Sequence, residues 1–242
     1  MSKPFISIVV PVFGDGFNAG IFYKEIEDAL SSWAKFEVVF VNDSFEDENW
    51  ESIKNLEGVA DNIIAVCNGK NRGQHFSTMA GLERVNGDYV VVSDCDGQDN
   101  PFEIKKMFDH LTRNQLDAVF GQRLSRASNF FASILSRCFY LILNLLTKFE
   151  YDYRTTSFGI TTKKIIKCLI QKKSKKIIYG ISIRLLTKKI GLIGIEHRAR
   201  RYGFSSYSFF AKLRLGFDIF NLIWSSRVSG ENRGAVGEDY EC

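Results

Sequence analysis

The 242-residue sequence has little that marks a membrane-spanning or disulfide-stapled protein. No hydrophobic run reaches the roughly 18 uncharged residues that a spanning helix needs. The opening Met1-Ser2-Lys3-Pro4 leads straight into an apolar, strand-like run instead of a signal peptide. The five cysteines (67, 95, 138, 168 and 242) are odd in number, scattered and without CxxC spacing. That pattern argues against a disulfide framework or a zinc site and fits a reducing compartment, so a cytoplasmic location is expected. No GxGxxG follows the first apolar run and no GxxxxGK[ST] occurs, which weighs against dinucleotide-binding and P-loop chemistry. Internal repeats and low-complexity segments are absent as well.

Charge is unevenly spread. Residues 1–121 carry 20 acids and 10 bases, whereas 122–242 carry 8 acids and 22 bases. Between Arg154 and Phe217 sixteen bases stand against one acid, Glu196. A stretch this one-sided predicts an anionic partner, which is a membrane surface, a phosphate-bearing substrate or nucleic acid. The plainer alternative, a solvated face, stays open for the individual lysines between Lys163 and Lys189. Nucleic acid is set aside, because no binding motif or aromatic stacking platform accompanies the basic residues. Oligomerisation stays open.

The first half alternates strand-like and helix-like segments. Phe5 to Val12 is β-rich and stops at Gly14-Asp15-Gly16. Asn18 to Trp33 has helical apolar spacing, with Asn18 as cap. A strand over Phe36–Val41 ends in Asn42-Asp43-Ser44, and a short acidic helix follows. A strand at Asn62–Val66, a helix over Phe76–Val85 and a strand over Asp88–Ser93 come next. A helix from Pro101 to about Arg113 and a strand over Asp117–Gly121 complete the series. This alternation predicts a mostly parallel sheet with helices on both faces, whose ligands sit at the carboxyl ends of the strands. Each polar cluster lies at such an end. Farther on, Asn129 to Glu150 predicts either a core helix or a helix lying on a membrane surface. Arg154–Ile160 and Gly191–Arg198 predict further strands, and the polar tail beyond about Ser229 predicts disorder.

The chemistry is concentrated in Asp94-Cys95-Asp96-Gly97-Gln98-Asp99, directly after the strand Tyr89-Val90-Val91-Val92. Three carboxylates and an amide carbonyl within six residues form a cluster of hard oxygen donors. Such donors suit Mg²⁺ or Mn²⁺, which is usually held by one or two carboxylates plus substrate phosphates. The alternative is an acidic turn that caps the helix beginning near Pro101.

At these residues the sequence resembles the family 2 glycosyltransferases of GT-A fold, in particular the polyprenyl-phosphate sugar transferases of the dolichol-phosphate mannose synthase kind. Ile8-Val9-Val10-Pro11-Val12-Phe13 resembles the opening strand and "PxYNE" loop. Val41 to Asp47 takes the place of "VDDGSxD". Asn71-Arg72-Gly73 through Ala80-Gly81, then Gly87-Asp88, matches "NxGxxxAxxxGxxxAxGD". Asp94 to Pro101 resembles "DADLQDPP", Gly121-Gln122-Arg123 the "GxR" after the fifth strand, and Arg200 to Ser208 "RxxGxSKYS". The motifs depart from the family at Gly14-Asp15 (for Asn-Glu), Asn42 (for Asp), Phe45 (for Ser) and Ser206 (for Lys).

The resemblance implies a GT-A domain over residues 1–222, with a nucleotide-sugar-binding half (1–121), an acceptor- or membrane-facing half (122–222) carrying a basic helical extension, and a flexible tail (223–242). It implies that Asn42 and Asp43 contact the nucleobase or ribose. Pro11, Val12, Asp15, Gly73, Cys95 and Ser205 would join them in lining the substrate site. Asp94 would hold the nucleotide side, Asp96 and Gln98 would ligate Mg²⁺ or Mn²⁺, and Arg123 and Arg200 would clamp phosphate oxygens. Asp99 would be the general base if the acceptor is a hydroxyl. It would be structural, for instance a helix-start carboxylate, if the acceptor is a lipid phosphate.

The implied activity is an inverting, metal-dependent sugar transfer from a nucleotide-sugar to a polyprenyl phosphate, peripheral on the inner face of the membrane. Two alternatives stand beside it. One is transfer to a glycan hydroxyl in polysaccharide or glycolipid synthesis. The other is a non-catalytic nucleotide-sugar binder, suggested by Asn42 and Ser206.

Overall fold

The computed structural model describes residues 2–13, 18–45, 47–124, 154–172, 178–196 and 198. Among these residues seven strands make one sheet: β1 (Phe5–Val12), β2 (Lys35–Asn42), β3 (Ile63–Cys67), β4 (Tyr89–Val92), β5 (Ala118–Arg123), β6 (Thr155–Thr162) and β7 (Ile190–Ile195). Six helices connect them among the described residues: α1 (Ala19–Leu30), α2 (Glu48–Glu57), α3 (Gln74–Leu82), α4 (Glu103–Arg113), α5 (Lys163–Gln171) and α6 (Tyr179–Leu186).

The strand order is β3-β2-β1-β4-β6-β5-β7. All pairings are parallel except those of β6, which runs antiparallel to both β4 and β5. A strand from the basic half of the sequence is thus inserted into the sheet built by the acidic half. Strand order reverses at β1–β4, because β1 leads outward to β2 and β3 on one side and to β4 on the other. In an open α/β sheet a crevice forms at such a reversal, above the strands' carboxyl ends.

The buried strands are apolar on both faces, as a sheet covered on two sides requires. Ile6, Ile8, Val10, Val38, Phe40 and Val91 point into one core with Phe22 and Ile26 of α1, Ile53 of α2, and Ile104 and Met107 of α4. Val9, Val39, Val41, Val90 and Val92 point into the other, with Leu82 of α3, Ile165 and Leu169 of α5, and Ile183 of α6. The period-two alternation of Cβ directions accounts for this sorting.

Gly81 lets α3 lie directly on the sheet, since a Cβ there would stand 2.4 Å from Val9 Cγ1. Asn18 caps α1 as expected, its Oδ1 accepting the N–H of Ile21 at 3.0 Å. Asp47 caps α2 in the same way through Trp50 N, at 3.0 Å.

Several boundaries differ from the sequence expectation. α3 begins at Gln74, where Gly73 with φ of 91° turns the chain into the helix, and ends at Leu82 rather than Val85. Proline occupies the turn before α4, whose first residue is Glu103. The last strand ends at Ile195, short of Arg198. The basic stretch holds two amphipathic helices that its lysines disguise: α5 buries Ile165, Ile166, Cys168 and Leu169 and exposes Lys164 and Lys167. Those lysines form a solvated helix face. Segment 129–150 and the tail beyond 222 lie outside the described residues.

Candidate functional site

The carboxyl ends of β1, β2 and β4 lie side by side. Val12 pairs with Asn42, and Ser93 N reaches Val9 O at 3.0 Å just past the end of β4. This brings Asn42 and Asp43 onto the same sheet edge as Asp94 to Asp99.

Of the three carboxylates in that loop, Asp99 is the buried one. Its Oδ2 accepts the N–H of Asp94 at 2.9 Å and faces Ser93 Oγ at 3.4 Å. Burial pushes its pKa well above the usual carboxylate range, and the charges of Asp94 and Asp96 act in the same direction. The Asp94 N–H and the Arg123 guanidinium oppose the rise. Asp99 therefore closes the loop from within.

Asp94 and Asp96 are only partly buried. Asp94 Oδ1 accepts from Gln74 Nε2 at 2.5 Å, and Asp96 Oδ1 accepts the N–H of Gln98 at 2.9 Å across the turn at Gly97, whose φ is 77°. Gln98 is tied to the segment after β7: Arg198 N donates to Gln98 O at 3.2 Å, and Gln98 Nε2 lies 3.5 Å from Arg198 O. Arg198 in turn makes an ion pair with Glu25 of α1 at 3.2 Å.

The loop thus gathers Asp94, Asp96 and Gln98, the expected oxygen donors. Among the described residues no three His, Cys, Asp or Glu side chains form a metal cage by themselves. Two carboxylates beside an amide suit a divalent cation whose remaining ligands come from substrate phosphates.

On the β2 side, Asn42 and Asp43 are both buried. Asn42 Nδ2 donates to Phe45 O at 3.0 Å and Asp47 Oδ1 at 3.2 Å, while its Oδ1 is buried without a hydrogen-bond partner. Asp43 accepts three N–H groups: Asn68 Nδ2 and Arg72 N at 3.0 Å, and Gly73 N at 2.7 Å. Its carboxylate holds the loop that leads into α3.

The side chains of Pro11 and Val12 are buried. Cys95 packs against the first core, and burial pushes its thiol up to about 12, leaving it a neutral packing group. Arg123 closes β5, its N–H donating to Arg154 O at 3.1 Å, with its charge felt at Asp99. Asp15, Arg200 and Ser205 lie outside the described residues. Glu25, Asn68 and Arg198 join the site's framework without any signal in sequence spacing, because each acts through a contact between distant segments.

Comparisons with known proteins agree with this geometry. The description of glycosyl transferase family 2 matches residues 7–173. CsbB of Bacillus subtilis, which carries a glycosyltransferase name, is 24% identical over 221 residues, covering 90% of this chain and 66% of the relative. The undecaprenyl-phosphate 4-deoxy-4-formamido-L-arabinose transferase of Pectobacterium atrosepticum is 26% identical over 219 residues, covering 88% and 66%. The chain thus spans 66% of the length of these curated relatives.

Among solved structures, mannosyl-3-phosphoglycerate synthase from Rubrobacter xylanophilus superposes with a TM-score of 0.62 at 14% identity, covering 95% of this chain and 75% of that one. S. aureus TarS in complex with UDP-GlcNAc gives 0.54 at 16% identity, covering 92% and 65%. At such identities the likeness concerns the fold, which is the GT-A arrangement. With the family's description spanning β1 to α5 and its acidic loop in place after β4, the chain belongs to glycosyl transferase family 2.

Proposed function

We propose that this chain is an inverting, metal-dependent glycosyltransferase that moves a sugar from a nucleotide-sugar donor to a polyprenyl phosphate at a membrane surface. The observation that carries the reading is the pair Asp94 and Asp96 at the carboxyl end of β4, beside the strand-order reversal where α/β sheets bind ligands. Three carboxylates crowd this loop, and their mutual repulsion contributes to the raised pKa of Asp99. Such a donor set fits Mg²⁺ or Mn²⁺ held by Asp96 and Gln98. That ion would act as a Lewis acid, neutralising charge on the departing nucleoside diphosphate.

The chain's own residues then divide the work. Residues 1–121 bind the donor, and 122–222 face the acceptor and the membrane. Asn42 offers its orphaned carbonyl to an N–H of the nucleobase or to a ribose hydroxyl; a buried acceptor without a partner costs about 1–3 kcal/mol, which a bound donor group relieves. Asp94 orients the nucleotide side. Arg123 and Arg200 clamp phosphate oxygens in the bidentate geometry natural to guanidinium. Pro11, Val12, Asp15, Gly73, Cys95 and Ser205 complete the wall, the first two and Cys95 through their backbone.

The phosphate acceptor is favoured by the burial of Asp99. A carboxylate that already accepts a loop N–H and lies beneath the surface is poorly placed to take a proton from an incoming hydroxyl. A phosphate monoester, with a second pKa near ~6, is largely dianionic at neutral pH and needs no base. The relatives named for undecaprenyl phosphate support the same choice. The test is a donor screen: labelled nucleotide-sugars are incubated with the protein, Mg²⁺ or Mn²⁺ and a polyprenyl-phosphate-containing lipid extract. Label entering the lipid phase is expected. Label recovered only on water-soluble glycan, or none transferred, overturns the reading.

A further inference from the structure

The geometry points to Gln74 as a positioning residue for Asp94, carried on an arm that Asp43 holds in place. This rests on the proposed role of Asp94 in donor binding. Asp43 lies at the end of β2, and its two oxygens accept Asn68 Nδ2, Arg72 N and Gly73 N. Asn68 is fixed a second time by its own N–H to Asn42 O at 3.0 Å, and its Nδ2 reaches Ser77 Oγ at 2.8 Å. The segment from Asn68 to Gly73 is therefore pinned at both ends to β2. At Gly73 a φ of 91° turns it into α3, a conformation that any side chain there would strain.

Gln74, the first residue of α3, then spans to the next strand end, where its Nε2 donates to Asp94 Oδ1 at 2.5 Å. Against a carboxylate only the NH₂ end of the amide can donate, so the orientation of this side chain is fixed by chemistry. The consequence is a physical link from β2 to the β4 loop. Asp43, expected from the family motif to touch the base or ribose, also holds this arm through the Asn68 side-chain amide and the Arg72 and Gly73 backbone amides. Both residues help set the direction of Asp94, and neither needs to touch the substrate.

The residue after Gly73 is unconstrained in the pattern "NxGxxxA", so Gln74 escapes notice in the sequence. A hydrogen bond to a charged group loses much of its value when either partner is misplaced. Loss of the Gln74 donor should therefore weaken donor binding roughly tenfold, as a charge-assisted bond implies.

The test uses the full chain and Mn²⁺ with each of UDP, GDP, CDP and ADP, titrated by calorimetry beside thermal melting followed by circular dichroism. Gln74→Leu removes the N–H and keeps the bulk. Gln74→Glu keeps the shape, removes the N–H and sets a carboxylate against Asp94. A positioning role predicts melting close to wild type, with affinity roughly tenfold weaker in Gln74→Leu and at least as weak in Gln74→Glu. Asp43→Asn, which retains one acceptor oxygen, should weaken binding less than Gln74→Glu. A space-filling role predicts the opposite order, with the isosteric Gln74→Glu near wild type. That result, or wild-type affinity in Gln74→Leu, overturns the inference. If wild-type protein itself binds no nucleoside diphosphate, the donor-binding reading fails instead, and the two failures are distinct.

Discussion

Replacing Asp99 by asparagine separates the two acceptor chemistries. Asp99 is buried, its Oδ2 accepts the Asp94 N–H at 2.9 Å, and burial and the neighbouring Asp94 and Asp96 raise its pKa well above the ordinary carboxylate value. Asparagine retains an acceptor oxygen for that N–H, so the loop should keep its shape. If Asp99 only closes the loop, the variant should turn over within a few-fold of wild type. A general base contributes typically ~10²–10⁴-fold, so a base role predicts a loss of that size.

Stability supplies a second readout in the metal-free protein. A carboxyl whose folded pKa is raised contributes stability that is fully present below its unfolded pKa, near ~3.9, and is lost as pH rises through the folded value. Asparagine never ionises. Asp99→Asn should therefore gain melting temperature relative to wild type as pH rises from about 4 toward neutrality. Asp99→Ala, by contrast, removes the acceptor of the Asp94 N–H and should cost about 1–3 kcal/mol at every pH. The assays are steady-state turnover with the identified donor and melting curves across pH, run beside Arg200→Ala. A loss of about a thousandfold in Asp99→Asn with the fold intact, and near-normal Arg200→Ala, would refute the lipid-phosphate reading.

Other outcomes follow from single contacts. Gly81→Ala places a Cβ 2.4 Å from Val9 Cγ1, so α3 must move off the sheet; a loss of about 1–3 kcal/mol should appear in chemical denaturation. Asp47→Ala removes the α2 cap and should cost about 1 kcal/mol, lowering the melting temperature by roughly 2–4 °C for a chain of this size. Burial raises the Asp47 pKa, but bonds from Ser44, Trp50 N, Asn42 and Asn49 N outweigh that and hold it below the ordinary value. Its contribution is thus present above the unfolded pKa and fades as pH falls through the folded one, so the variant's deficit should shrink in acid. Binding to anionic vesicles should be strong at low salt and lost at high salt, each Lys or Arg near the surface contributing about 1 kcal/mol. Protein remaining in the supernatant at low salt would remove the peripheral-membrane assignment.

The sequence made the first 121 residues of the fold legible because their strands are short, β-branched and punctuated by polar clusters, from Val9-Val10 to Tyr89-Val90-Val91-Val92. The Asp94–Asp99 loop was legible for the same reason, since its acids follow a strand without interruption. Pairing order was not. The antiparallel insertion of β6 between β4 and β5 leaves no trace in periodicity, because a strand buried on both faces looks alike in either direction. In α5 the Lys163-Lys164 and Lys167 charges masked the Ile165, Ile166 and Leu169 face, so a packed helix read only as part of a basic stretch. Asp99 and Asp43 stand at motif positions, yet their work as hydrogen-bond anchors depends on Asp94 N, Arg72 N and Gly73 N. Those partners are identified by tertiary contact alone.

The central claim is that Asp94 and Asp96 organise a metal-assisted sugar transfer to a lipid phosphate. Its most direct measurement is release of nucleoside diphosphate coupled to glycosylation of a defined polyprenyl phosphate. Wild type and Asp96→Ala are compared, each with Mn²⁺ or Mg²⁺ and with excess EDTA. Turnover should require both the metal and Asp96, with Asp96→Ala inactive although its circular dichroism and melting match wild type. Full activity in EDTA, or in Asp96→Ala, would contradict the account.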